Sequence, residues 1–311
     1  VTIFTIQAAV TIVTAGLAVE LFGFNNNIAI MASIILILCI IILTVGKYKL
    51  LDNFIKIVIL ILALSTLFAV GYATNDSMVE LNVNQIFPDE VSGIIFFAAF
   101  MGWMPAPLDV SIWQSIWTKE KLNLNNKIKY KSALFDFNVG YISTVFLGLC
   151  FVALGAFVMF GSGQTFSNNG SEFANQLIKL YTANLGENVK IFISVAAFTT
   201  MLSTTITCLD ASPRAMSQTL KLLNHKKISG YNTWILIISI VTMIIFVFFE
   251  SEMGTLIKIA TILSFITAPI YAIMNYSLVN SGYMPKKFKL SKSMKFYSIS
   301  GIIFLTCLLY T

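Results

Sequence analysis

Residues 96–109 read FFAAFMGWMPAPLD, and this stretch decides the fold because two prolines interrupt a long apolar segment. Pro105 and Pro107 have no amide hydrogen to donate, and their rings clash with the preceding helical turn. Each proline also pushes the residue before it out of the α region. The stretch predicts two half-helices joined by a break at membrane depth, and a simple proline kink is the structural alternative.

The rest of the chain is as apolar as this stretch. Of its 311 residues, 57% are hydrophobic and 11% are charged, whereas a soluble domain has about 25% charged residues. Segments long enough, or nearly long enough, to cross a bilayer lie at 1–22, 28–45, 54–72, 91–117, 135–160, 191–209, 234–249, 255–279 and 296–310. These nine segments predict an all-α polytopic membrane protein, with one transmembrane domain over residues 1–311 and the lipid bilayer as its surroundings.

Charge alternates along the chain from loop to loop. Lysines concentrate at 47–49, 119–131, 221–227 and 286–295, whereas the loops between these contain mainly acidic residues. Basic loops favour the cytoplasmic side, so the pattern supports all nine spans together and places the start of the chain in the cytoplasm. We expect the protein to lie in a bacterial inner membrane. The net charge of +6 forms no nucleic-acid-binding stripe, so no nucleic-acid partner is predicted.

The residues needed for enzyme chemistry are scarce. The one histidine, His225, lies in a polar basic segment, and the four cysteines lie singly in apolar stretches. A catalytic triad or a zinc cage cannot be assembled from such a set. The sequence therefore predicts neither an enzyme nor a resident cofactor.

Three residues near the break are candidate cation ligands. Asp109 follows the break, and a carboxylate within a membrane usually faces a pathway or a partner. A helix-start cap is the alternative, because the helix dipole favours a negative charge there. Met104 and Met101 offer soft thioethers, which transition metals accept and Mg²⁺ or Ca²⁺ do not favour. Most methionines in apolar helices only fill space, so the position of Met104 at the break matters.

Polar residues elsewhere leave alternatives open. Thr261 and Thr267 precede Pro269, where hydroxyls either bond across helices and relieve a kink or face a pore. Asp210 and Arg214 stand at i and i+4 and predict an ion pair. Residues 171–185 predict either a short amphipathic helix on the outer surface or an ordered loop.

These motifs together resemble the Nramp family of divalent-metal transporters, which has the LeuT-type inverted-repeat fold. Met104-Pro105 corresponds to the Met-Pro at the break of the family's sixth helix. The stretch 46–52 resembles the turn between its fourth and fifth helices, 203–211 resembles its eighth helix, and 267–269 resembles its tenth. By this resemblance the chain covers helices three to eleven of the family.

The resemblance implies a metal site and a function. The methionine sulfur of the family binds the metal together with a backbone carbonyl three residues earlier, and these would be Met104 and Met101. Thr261 and Thr267 stand where glutamines are common in the family. The resemblance implies a secondary transporter that carries a divalent transition metal of the Mn²⁺ or Fe²⁺ type, as substrate, by alternating access.

The chain departs from the family at positions that matter for coupling. Ala106 and Pro107 stand where the family has His and Asn, and Ser111 stands where it has a second His. Proton coupling is therefore open, and Asp109 is the candidate substitute. The family's first helix, which supplies two ligands, is not in this sequence, so we expect a fragment incomplete at both ends that holds at most half of the site.

Three alternatives follow from these departures. The protein could be a divergent member of the family that carries Mg²⁺ or a small organic solute. It could also be a non-transporting membrane sensor or subunit.

Overall fold

The computed structural model describes residues 2–23, 27–45, 48–76, 90–104, 106–124, 130–158, 166–186, 188, 190–225, 229–249, 252–285 and 288–310. Within these ranges the chain forms eleven α-helices and no strand. They are α1 (Thr2–Phe22), α2 (Ile28–Val45), α3 (Tyr48–Asp76), α4 (Val91–Trp103), α5 (Val110–Leu124), α6 (Tyr130–Val158), α7 (Gly170–Leu185), α8 (Lys190–Leu222), α9 (Tyr231–Phe249), α10 (Met253–Asn280) and α11 (Lys292–Tyr310). Pro105, Gly46, Lys47 and the loop lysines within 125–129, 226–228 and 286–287 lie outside the described residues.

Nine predicted spans have a helical counterpart. Six helices, α1, α6, α8, α9, α10 and α11, are long and apolar enough to cross a membrane, and three shorter apolar helices lie within α2, α3 and α4. The fourth predicted span is divided between α4 and α5. No residue of α11 is buried, and α6 is mostly exposed, so their apolar side chains need lipid around them. The prediction of an all-α integral membrane protein is confirmed.

The first of two compact units comprises Val1–Asn84 and Ile116–Ile257. Its central helix is α1, which packs against α2, α7, α8 and α9 and is buried without interruption from Ile6 to Ala18. Gly16 permits one of these contacts, because a Cβ on it would overlap the Gly170 carbonyl at the start of α7. The core of this unit therefore requires close backbone approach as well as apolar side chains.

Helix α7 settles one alternative that the sequence left open. The Asn169 side chain accepts hydrogen bonds from the amides of Ser171 at 3.0 Å and Glu172 at 3.4 Å, which caps the helix start. Its inner face is buried, and the Tyr181 hydroxyl lies 3.1 Å from the Thr66 hydroxyl of α3. Residues 170–185 are therefore a helix packed into the first unit.

The second compact unit comprises Gln85–Ser115 and Lys258–Thr311. It contains α4, the first turns of α5, most of α10 and all of α11. The boundary crosses α5 between Ser115 and Ile116. Every candidate ligand from the sequence lies in this second unit. A single transmembrane domain over residues 1–311 stays a prediction.

Candidate functional site

The apolar helix α4 ends within the span that the prolines interrupt. Met104 leaves the helix with φ −108° and ψ 119°, an extended conformation, and its amide closes the last turn on the Phe100 carbonyl at 3.0 Å. Helix α5 starts only at Val110. The prediction of two half-helices is confirmed, and Met104 is the first residue of the break.

The break leaves backbone carbonyls without their helical donors. Pro105 and Pro107 have no amide hydrogen, so neither can close the i→i−4 bond to the carbonyls of Met101 and Trp103. Such carbonyls at membrane depth are tolerated where protein or an aqueous cavity surrounds them. The Met101 carbonyl, one of the predicted ligands, therefore receives no hydrogen bond from residue 105.

The second half-helix begins with a tight turn. The amides of Val110, Ser111 and Ile112 donate to the carbonyls three residues earlier, those of Pro107, Leu108 and Asp109, at 3.1, 3.2 and 2.9 Å. Asp109 lies within this first turn, where the positive end of the helix dipole favours its negative charge. Met104 and Asp109 thus flank the break, one at each side.

One oxygen of the Asp109 carboxylate needs a partner. Among the described residues, Asp109 Oδ1 is buried and has no hydrogen-bond partner. The carboxylate lies at the backbone amides of Asp109 and Val110, as a side chain that caps a helix start does, and Oδ1 is the oxygen left without a donor. A buried carboxylate oxygen without a donor is a natural position for a cation.

Helix α10 touches the end of the first half-helix closely. A Cβ on Gly102 would overlap the Thr261 carbonyl and would lie 3.2 Å from the Phe265 amide nitrogen. Next to it, Trp103 Nε1 donates to Ser264 Oγ at 3.0 Å. The end of α4 is therefore held against the stretch from Thr261 to Phe265.

Helix α10 also holds the second half-helix. Asn275 Nδ2 donates to Ser111 Oγ at 3.0 Å, and the Ser111 hydroxyl donates to the Leu108 carbonyl at 2.7 Å. The contacts of α10 with Gly102 and Trp103 lie before the break along the chain, and its contact with Ser111 lies after the break, so together they bracket it. They also bracket the segment of α10 that contains Thr267 and Pro269.

The two threonines proposed as ligands differ in their surroundings. The Thr261 hydroxyl donates to the Lys258 carbonyl at 2.9 Å, and the Thr261 carbonyl faces Gly102. The Thr267 hydroxyl donates to the carbonyls of Leu263 and Ser264, both at 3.1 Å. Both hydroxyl hydrogens thus bond to carbonyls within α10 itself, and those of Thr267 lie in the turns just before Pro269. Thr267 is the one that lies between the bracketing contacts.

The donor set at the break mixes soft and hard atoms. Its predicted members are the Met104 sulfur, the Met101 carbonyl and the Asp109 carboxylate. In the part of the chain that the structure describes, no group of three or more His, Cys, Asp or Glu side chains could hold a metal ion.

Two residues at the break were missed from the sequence. Trp103 and Asn275 anchor the half-helices on α10, and neither was predicted to do so. The sequence could have indicated Asn275, because an amide side chain within an apolar helix needs a hydrogen-bond partner on another helix. Nothing in the sequence indicated the role of Trp103, because an indole in an apolar segment is common at membrane depth.

The predicted ion pair of Asp210 and Arg214 is confirmed, and it belongs to the first unit. Arg214 Nε lies 2.9 Å from both Asp210 oxygens, which also accept from Trp117 Nε1 at 3.1 Å and the Tyr231 hydroxyl at 2.5 Å. The guanidinium lies 4.8 Å from the centroid of the Tyr231 ring and 3.9 Å from Glu120. Every donor and acceptor named here has a protein partner, so the cluster is a structural joint between α5, α8 and α9.

Known proteins give the context for this geometry. The family model described as Nramp, natural resistance-associated macrophage protein-like, matches residues 1–311. An uncharacterized protein of Pasteurella multocida is 35% identical over 272 residues, which are 85% of this chain and 62% of that relative. The chain thus spans less than two thirds of the relative's length. Because the family model covers the whole chain, this membrane protein belongs to the Nramp family.

Proposed function

We propose that the whole protein containing this chain is a secondary transporter that moves divalent transition-metal ions, of the Mn²⁺ or Fe²⁺ type, across the membrane by alternating access. One observation carries the proposal: a membrane helix is interrupted between a methionine and a buried carboxylate oxygen that has no hydrogen-bond donor among the described residues. Discontinuous helices of this kind hold substrates near the midplane of secondary transporters. Membership of the Nramp family supports a metal ion as that substrate.

The proposed binding step uses the atoms at the break. The Met104 sulfur and the Met101 carbonyl would replace part of the ion's hydration shell, and Asp109 would supply negative charge. A thioether favours softer divalent ions over Mg²⁺ and Ca²⁺. Thr267, between the contacts that bracket the break, and Thr261 beside Gly102 would contribute hydroxyl oxygens from α10.

The proposed transport step follows from the fold class. Rocking of helical repeats around a fixed site alternates access to the two sides of the membrane. The chain lacks histidines at the family's positions, and the Ser111 hydroxyl is engaged with Leu108 and Asn275. Asp109 is therefore the ionisable group at the break through which a coupling proton would act.

A second candidate substrate is Mg²⁺, and Asp109 favours it. A carboxylate is a hard ligand, and Mg²⁺ binds through one or two carboxylates while it keeps several waters. The two candidate substrates predict different effects of removing the Met104 sulfur. Loss of the sulfur would lower affinity for Mn²⁺ and Cd²⁺ and leave Mg²⁺ little changed.

Uptake of radioactive Mn²⁺ by the full-length protein in proteoliposomes tests the proposal. We expect the Met104→Ala variant to lose most uptake, and the Met274→Ala variant to keep it, because Met274 is 61% exposed on the surface of α10. Undiminished Mn²⁺ uptake by Met104→Ala contradicts the assigned ligand.

Two further outcomes separate the remaining alternatives. Flux of an organic solute without metal uptake would indicate a divergent carrier. Absence of any flux from a monodisperse, correctly inserted protein would indicate a sensor or subunit.

A further inference from the structure

Helix α10 contains a proline within its transmembrane part, and none of the ligands proposed above depends on it. Pro269 lies inside α10, and it has no amide hydrogen. The carbonyl four residues earlier, that of Phe265, therefore cannot receive its i→i−4 hydrogen bond. For the same reason Pro105 cannot donate a hydrogen bond to the Met101 carbonyl. The interrupted segment and α10 thus both contain prolines that deprive carbonyls of their helical donors, Pro105 and Pro107 in the first and Pro269 in the second.

The position of the Phe265 carbonyl follows from the contact at Gly102. The Thr261 carbonyl and the Phe265 amide nitrogen both face Gly102. Residues four apart lie on the same face of a helix, one turn and about 6 Å further along. The Phe265 carbonyl therefore lies on the face of α10 that touches α4, displaced by one turn from Gly102.

The direction of that displacement is toward the break. Along α10 the contacts run from Thr261 and Ser264, which touch the first half-helix, to Asn275, which bonds to the second. Phe265 lies just inside the first contact, as Met104 does on the other segment. Its carbonyl thus points along α10 toward the part of the helix that is bracketed together with the break.

We infer that the Phe265 carbonyl oxygen is a ligand for the divalent cation, made available by Pro269 and contributed by α10 through its backbone. This inference rests on the proposed function. It assigns to α10 an oxygen donor that does not depend on the hydroxyls of Thr261 or Thr267. Because a carbonyl is a harder donor than a thioether, its contribution favours Mn²⁺ over Cd²⁺.

The Pro269→Ala substitution tests the inference, since alanine restores the amide hydrogen and the helical bond to Phe265. We expect uptake of Mn²⁺ in proteoliposomes to fall about tenfold and uptake of Cd²⁺ to fall less, so the Mn²⁺ to Cd²⁺ ratio decreases. Pro213→Ala is the matched control, because Pro213 also lies inside a long helix, α8, in the other unit. We expect this control to leave the ratio unchanged.

A second variant separates the carbonyl from the proline kink. Lactic acid at position 269, introduced by nonsense suppression, removes the ring but still offers no N–H to Phe265. If the available carbonyl matters, this ester restores the wild-type Mn²⁺ to Cd²⁺ ratio. If the ester behaves like Pro269→Ala, the kink is responsible and the inference is wrong.

The same experiment distinguishes failure of the inference from failure of the proposed function. Wild-type protein that takes up neither Mn²⁺ nor Cd²⁺ overturns both. Wild-type uptake that depends on Met104 but keeps its ion ratio in Pro269→Ala overturns the role of Phe265 alone. Binding of Mn²⁺ to each purified variant supplies the comparison for any variant with low uptake, and equal affinity in Pro269→Ala also contradicts the inference.

Discussion

Asn275 of α10 donates a 3.0 Å hydrogen bond to the Ser111 hydroxyl in the first turn of α5. The same hydroxyl donates to the Leu108 carbonyl, so the amide fixes the turn that contains Asp109. The bond joins residues 164 positions apart. The bond connects the start of α5 to α10, and α10 also contacts the end of α4.

Replacement of Asn275 by alanine should loosen this turn without removing any proposed ligand. A neutral hydrogen bond contributes about 1 kcal/mol, and each 1.4 kcal/mol is a factor of ten in affinity. We expect a threefold to tenfold higher KM for Mn²⁺, roughly in line with that energy, and little change in thermal stability. Asn280→Ala at the end of the same helix is the control. Equal KM values for the two variants would show that the bond does not position the site.

The contact at Gly102 predicts a different defect, in packing. A Cβ there overlaps the Thr261 carbonyl, and backbone cannot move aside as a flexible side chain can. Overpacking of this kind costs about 1–3 kcal/mol, so Gly102→Ala should lower the melting temperature in detergent and reduce Mn²⁺ uptake.

Gly155→Ala in α6 is the matched control for the Gly102 variant. Among the described residues, no atom outside the adjoining helical backbone lies within 4 Å of a Cβ built on Gly155, and alanine in an open helix position gains about 0.5–1 kcal/mol over glycine. We expect the melting temperatures of the two variants to shift in opposite directions. A shift of the same sign in both would mean that the α4–α10 contact gives way easily.

The sequence predicted the helices and the break because both depend on local chemistry. Apolar length defines the spans, and Pro105 with Pro107 defines the interruption. The sequence could not predict which residues of α10 meet the two half-helices, since the contacts of Gly102 with Thr261 and of Ser111 with Asn275 depend on how distant segments pack. The Asp210–Arg214 pair was predicted at i and i+4, whereas Trp117 and Tyr231 came to it through tertiary structure.

Asp109 should determine how hard a cation the site accepts. Asp109→Asn keeps the shape of the side chain and removes its charge, so the buried Oδ1 position becomes a neutral amide. We expect Mn²⁺ uptake to fall at least tenfold and Cd²⁺ uptake to fall less, because the thioether binds the softer ion. Asp109→Glu, which keeps the charge, should retain part of the Mn²⁺ uptake. If Asn and Glu variants behave alike, charge at this position is not what the cation needs.

The cluster around Asp210 should contribute to stability and leave ion selectivity unchanged, because it lies in the first unit and its charged groups are paired with one another. Asp210→Ala leaves the half-buried Arg214 guanidinium without its main partner, and the side-chain exposure of 33% for Arg214 limits the penalty. After allowance for solvent screening we expect a loss of about 2 kcal/mol. Tyr231→Phe removes one donor and should cost about 1 kcal/mol. Thermal unfolding of both variants, with the Mn²⁺ to Cd²⁺ uptake ratio measured in parallel, checks the assignment. A change in that ratio for Asp210→Ala would place the cluster in the transport pathway.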